Sequence, residues 1–211
     1  MNRLFSTIAA LLLCCCVFAQ SAEDIMKKAE ASFNNDGGIK ANFTLAVENK
    51  IKATSESFDG TILMKGNRFF IQTPEIKVWY NGKDQWTLLS NSDEVNLTSP
   101  AEAEADAMNP SVLFSLYKKG FKATMLKDKK IQNQTCYQIR LEPKTKKADL
   151  RSITVAINKA NFQIREIVMD QNNQSANKIL ITQYNKNQSL KDSDFIFNQK
   201  LYPNIELIDL R

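Results

Sequence analysis

Residues 39–48 read Ile39-Lys40-Ala41-Asn42-Phe43-Thr44-Leu45-Ala46-Val47-Glu48. Ile39, Ala41, Phe43, Leu45 and Val47 alternate with Lys40, Asn42, Thr44 and Glu48, so an extended strand here has one apolar face and one wet face. The period of two continues in a second strand through Phe58, Ile62 and Met64. Further strands are expected at 69–73, 76–80 and 85–89. Asn81-Gly82, between the last two, is a hairpin turn signal, because both residues accept left-handed backbone.

Outward from this series the period changes. In 23–33 the apolar residues Ile25, Met26, Ala29 and Phe33 fall at helical spacing, and Asn34, Asn35, Asp36, Gly37 and Gly38 stop the helix. Ser99-Pro100 breaks the strand series. Residues 101–108 are rich in Ala and Glu and favour helix, until Asn109-Pro110 interrupts. Ser111 then starts a second helix with an apolar stripe of Val112, Leu113, Leu116 and Tyr117, ending at Gly120. Strands return from Phe121: Tyr137, Ile139 and Leu141 share one face, and Ile153, Val155 and Ile157 share another. Turns are read at 158–161 and 171–175. No helix is expected between these strands, so the sheet is expected to be antiparallel and the class α+β.

The N-terminus carries Arg3, an apolar run at 8–18, and Ala19 preceded by Val17 at the minus-three position. That is the pattern of a cleavable export signal over residues 1–19, with cleavage after Ser21 the weaker option. Cys14, Cys15 and Cys16 raise the alternative of lipidation. The residues before them, Leu13, Cys14 and Cys15, are not the small ones such a signal wants. Cleavage after Ala19 leaves 20–211 as one domain with a single cysteine, Cys136, and no internal disulfide.

The usual catalytic groups are sparse. The 211-residue chain has no histidine, which removes the commonest general base, nucleophile partner and metal ligand. There is no phosphate loop, and no cysteine pair at zinc spacing remains after cleavage. Cys136 is read as a structural thiol. Glu102 and Glu104 are read as the polar face of a helix, leaving a two-carboxylate hydrolase open but unsupported. The formal net charge of +5 is spread along the chain, and Lys144, Lys146 and Lys147 are read as a solvated loop, so no nucleic-acid groove is expected. No cofactor or metal is called for. What stands out is apolar surface: Phe43, Leu45, Val47, Phe58, Ile62, Met64, Phe69, Ile71, Trp79 and Trp86 line one or both faces of a sheet, with the second helix as cover. Pattern alone favours an ordinary filled core and does not separate it from a cavity under the helices.

Several stretches together resemble the LolA family of periplasmic lipoprotein carriers, over nearly all of the chain after the signal. They are Ile39 to Thr44, then Phe58-Asp59-Gly60-Thr61-Ile62-Leu63-Met64-Lys65, and the hairpin Tyr80-Asn81-Gly82-Lys83-Asp84-Gln85-Trp86. Near the end Asp194-Phe195-Ile196-Phe197 is similar to a closing Phe-x-Phe strand, and Pro203-Asn204-Ile205-Glu206-Leu207-Ile208-Asp209 to the family's tail. The resemblance implies a strongly curved antiparallel sheet forming an incomplete β-barrel, its concave face covered by a lid of about three helices. It implies an acyl-chain cavity. The sheet side would be Phe43, Leu45, Val47, Phe58, Ile62, Met64, Phe69, Ile71 and Trp86; the lid side would be Val112, Leu113, Leu116 and Tyr117. The implied partners are acylated lipoproteins, an inner-membrane lipoprotein-releasing ABC transporter and an outer-membrane acceptor, met by a monomer with no enzymatic activity. A sensor of lipid or lipoprotein on the same fold is the alternative. The family commonly has Arg-Pro after the second strand, the Arg holding the lid closed. Here Lys65-Gly66 stands at that position with Arg68 nearby, so Lys65 or Arg68 is the expected latch, although Lys lacks the planar fork of Arg.

Overall fold

The computed structural model describes residues 20–35, 37–49, 51–99, 112–118, 120–145, 150–171 and 175–211. The export signal at 1–19, the helix at 101–108 and the Lys146 and Lys147 loop lie outside the described residues.

Helix α1 (Ala22–Asn35) starts where the sequence places it. The Asp24 N–H donates to Ser21 Oγ at 3.1 Å, which caps the first turn, and Glu23 and Asp24 sit at the positive end of the helix dipole. Gly37, at φ +66°, lets the chain turn out of the helix into the first strand.

The sheet has twelve strands: β1 (Ile39–Asn49), β2 (Thr54–Lys65), β3 (Arg68–Gln72), β4 (Ile76–Tyr80), β5 (Gln85–Leu89), β6 (Glu94–Thr98), β7 (Phe121–Ile131), β8 (Gln134–Pro143), β9 (Leu150–Asn158), β10 (Ile164–Gln171), β11 (Ser175–Asn185) and β12 (Glu206–Asp209). Their order is β12-β6-β5-β4-β3-β2-β1-β11-β10-β9-β8-β7. Two antiparallel meanders, β1–β6 and β7–β11, are thus joined by the long β1–β11 ladder, which runs from Lys40↔Asn185 to Asn49↔Ser175. The sheet curves without closing, leaving β12 and β7 as its two edges. Between the meanders lies the short helix α2 (Val112–Leu116). Of the three lid helices expected, α1 and α2 are described.

The expected curved, mainly antiparallel sheet is present, and three details add to it or depart from it. β6 was not expected, although Val95 and Leu97 alternate within it and are buried. The sheet is not wholly antiparallel, because β12 pairs parallel to β6. The closing Phe-x-Phe stretch is not a strand: it holds a 3-10 turn at Asp192–Phe195, with the Phe195 ring fully buried.

These three details share a cause. After β11 the chain crosses the outer face of the first meander and only then reaches the sheet edge. Phe197 and Tyr202 pack edge-on against Trp79 at 5.5 and 5.9 Å between ring centroids, and Leu88 and Val95 complete this outer cluster. The strand β4 is therefore covered on both sides. Val78 and Tyr80 face inward, Trp79 faces the C-terminal strap, and the run of apolar residues without alternation reflects that double cover.

Candidate apolar binding site

On the inner face, the two halves of α1 meet different surroundings. Ile25 and Met26 are wholly buried in one cluster with Ile139, Leu141, Val155 and Ile157 of β8 and β9. This is a filled core, and it anchors the first half of the helix. The second half lies over the other meander. There Phe33 touches both the filled core and a second cluster built by Ile39, Ala41, Phe43, Ile62, Met64 and Phe69.

A cavity of about 140 Å³ lies under that second half. Ala29, Ser32 and Phe33 of α1 and Phe114 of α2 form its roof. Its floor is Ala41 and Phe43 of β1, Ile62 and Met64 of β2, Ile71 of β3, Ile164 and Ile167 of β10, and Ile179, Ile181 and Tyr184 of β11, with Phe162 and Gln163 at one side. Five neighbouring strands contribute, which is possible only because the sheet is curved. The strand register explains the placement: Phe43 opposes Gly60, Ala41 opposes Ile62, and Ile62 opposes Ile71, all on one face. Gly60 matters here. A Cβ at that position would lie 2.4 Å from the Phe43 ring, so glycine lets the ring lie against the sheet rather than fill the space above it.

The lining is apolar apart from Ser32, Gln163 and the Tyr184 phenol. A closed void of about 150 Å³ between Leu, Ile and Phe side chains stays dry and admits a benzene-sized molecule. The cavity as it stands thus fits a short apolar segment and is smaller than a whole fatty chain. The roof is held together by contacts between helices. Phe33 and Phe114 are 5.4 Å apart, the Tyr117 hydroxyl donates to Glu30 Oε2 at 2.9 Å, and Lys118 Nζ donates to Glu30 Oε1 at 2.6 Å. Burial pushes the Tyr117 phenol up, helped by Glu30, to about 12. For the Glu30 carboxyl, burial acts upward but the bonds from Lys118 and Tyr117 prevail and hold it below its ordinary value.

Among the residues expected in the cavity, Phe43, Ile62, Met64 and Ile71 line it. Phe69 is buried in the same cluster and Leu45 packs against that cluster, but neither lines the cavity. Phe58 is half-buried farther along the inner face, and Val47 is exposed toward the β1–β2 turn. Leu113, Leu116 and Tyr117 belong to the filled core around α1 and do not line the space; the side chain of Val112 lies outside the described residues. Trp86 is a correction. It opposes Trp79 across the β4–β5 ladder and packs in the outer cluster, on the side of the sheet away from the cavity.

At the expected latch positions, the described partners lie in the C-terminal strap. Lys65 Nζ donates to the Leu190 carbonyl at 2.8 Å. Arg68 pairs with Asp192, and its guanidinium lies 5.5 Å from the centre of the Phe195 ring. Both residues fasten the C-terminal strap to the outer face, because positions 65 and 68 alternate with the inward-facing Met64 and Phe69. Neither contacts the helical roof among the described interactions.

Sequence reading did not place Phe33, Phe114, Phe162, Ile164, Ile167, Ile179, Ile181 or Tyr184 in the lining. Phe33 was within reach as the last member of the α1 stripe, and Ile179 and Ile181 share the period of two with Tyr184 close behind. Phe162 had no such signal.

The described residues bring no catalytic constellation together. No group of three His, Cys, Asp or Glu able to hold a metal occurs among them. Cys136 is buried on the outer face beside Ile131 and Ala156, and burial raises its thiol pKa, so it is poorly nucleophilic.

The chain is similar in fold to a conserved, uncharacterized protein from Thermus thermophilus, with a TM-score of 0.58 at 8% identity over 89% of this chain and 98% of that one. A LolA superfamily protein from Nitrosomonas europaea gives a TM-score of 0.45 at 13% identity, over 85% and 99%. LprF from Mycobacterium bovis gives 0.46 at 11% identity, over 81% and 95%. No curated protein sequence matches. The family model of the outer membrane lipoprotein carrier protein LolA matches residues 15–193. The match covers most of the chain, including the strands and helices around the cavity, and the chain belongs to the LolA family.

Proposed function

We propose that this protein is a periplasmic carrier that holds the acyl chains of lipoproteins under α1 and α2 and conveys them from the inner membrane toward the outer membrane. The observation that carries the reading is the apolar cavity beneath the less firmly packed half of α1, in a chain of this family. The physical need is large: at about 0.8 kcal/mol for each buried methylene, a chain of roughly sixteen carbons loses about a dozen kcal/mol on exposure to water. Release has to remain possible. A cavity smaller than the cargo meets that need, because lifting the roof offsets part of the gain from burial. In this account residues 1–19 are a removed export signal and 20–211 form one carrier domain without catalytic activity. Its partners are an inner-membrane lipoprotein-releasing ABC transporter, the acylated lipoproteins themselves and an outer-membrane acceptor.

The test is to purify the protein from the periplasm of cells expressing it and weigh it intact by native mass spectrometry. Adducts with the masses of acylated lipoproteins are expected, and they should disappear when the cavity is filled by substitution. Adducts that persist in the filled variant, or their complete absence alongside failure to bind a synthetic triacylated lipopeptide, would refute it.

A further inference from the structure

Phe162 lies in the turn between β9 and β10 at φ +58°. A bulky aromatic residue in left-handed backbone is strained, and such strain persists only where the surroundings enforce it. The turn is fixed by the Phe162 N–H donating to the Asn158 carbonyl and the Asn158 N–H donating to the Gln163 carbonyl, both at 2.9 Å. The result aims the ring at the cavity. Its other neighbours hold it there: Tyr137 stacks on it at 6.5 Å between centroids and 13° between planes, and the Lys28 ammonium of α1 sits 5.2 Å from its centre.

The position is unusual in a second way. Phe162 and its neighbour Gln163 are the lining residues that belong to a turn; the others belong to helices or strands. A turn can shift without breaking a ladder of backbone hydrogen bonds. Phe162 is also only half-buried, so the residue that lines the cavity also reaches solvent. Two of the polar lining groups, Ser32 and Gln163, lie beside it, and Ser32 Oγ donates to the Asn161 carbonyl at 3.0 Å, tying α1 to this turn.

We infer that Phe162 is the gate of the cavity: the apolar chain passes between the second half of α1 and the β9–β10 turn when this ring leaves Tyr137 and Lys28. The inference rests on the proposed binding of an apolar chain and adds where the chain passes and which side chain controls its passage. Tyr137 acts as a positioning residue, since it supports the ring without lining the cavity.

The experiment is stopped-flow exchange of cis-parinaric acid, a fluorescent fatty acid, on the full chain after export. Phe162→Asn keeps a residue that tolerates left-handed backbone while removing the ring, and Tyr137→Ala removes only its support. Loss of a stack and a cation–π contact is expected to raise association and dissociation rates roughly tenfold in Phe162→Asn. Both rates should rise in the same sense in Tyr137→Ala, with Kd moving far less than either rate. Joining Ser32→Cys to Gln163→Cys with a short thiol cross-linker should stop exchange. Wild-type binding with unchanged rates in both variants, or free exchange through the cross-linked turn, overturns the gate and leaves the cavity reading standing. Failure of the wild-type protein to bind the probe overturns both.

Discussion

Ala41→Leu places new volume in the space where cargo is proposed to sit. Ala41 is 1% exposed, stands near the start of β1 between Ile62 and Tyr184, and lines the cavity. Leucine adds three carbons there, which fits within about 140 Å³ without forcing the strands apart. It therefore displaces about three methylenes of any chain occupying the site, worth about 2.4 kcal/mol, or roughly a fiftyfold rise in Kd. Stability should hold or rise slightly, because an existing void is being filled rather than a packed core overfilled. Titration with a fluorescent fatty acid reads the first quantity and a urea denaturation curve the second. Unchanged affinity would show that the chain binds elsewhere. A fall in stability of several kcal/mol would show that the space is already occupied by packing, and would refute the reasoning from the cavity.

Other perturbations separate the two faces of the sheet. Trp79→Ala removes the ring under Phe197 and Tyr202 and should cost about 3–5 kcal/mol in urea unfolding while leaving fatty-acid affinity of the folded protein unchanged. Arg68→Ala breaks a partly exposed pair with Asp192 and a ring contact, so it should cost about 1 kcal/mol and increase amide exchange near Phe195 without changing probe exchange. A large rise in probe exchange would restore Arg68 as a roof latch. Glu30 makes the roof sensitive to acid. Its lowered carboxyl pKa contributes stability that is fully present above about 4.5 and lost as pH falls through the folded value, so probe release should speed up in acid. Glu30→Gln should abolish that pH dependence; if it does not, other carboxylates control the roof.

Much of the fold was legible because its signals are local. The alternation from Ile39 to Val47, the Asn81-Gly82 turn and the α1 stripe each reflect a period that one element must satisfy by itself. What was not legible depends on partners far away in the chain. Trp86 sits on a strand with apolar residues on both faces, so nothing in β5 reveals which face meets the cavity. That is decided by Phe197 and Tyr202, more than a hundred residues later. The same strap binds Lys65 and Arg68, which the family resemblance implied as the latch of the roof. A short parallel strand such as β12 has too few residues to display a pattern. Filled core and cavity also look alike in sequence: the α1 stripe supplies Ile25 and Met26 to one and Phe33 to the other. The difference lies in a few ångströms of separation between roof and floor, which side-chain type does not encode.

Site-specific photo-cross-linking tests the central claim most directly. A photoreactive amino acid at Ile179, on the cavity floor, and another at Leu88, in the outer cluster, would be illuminated with a triacylated lipopeptide bound. The account predicts an adduct on the acyl chains from position 179 and none from position 88. Equal adducts from both positions, or an adduct from position 88 alone, would contradict it.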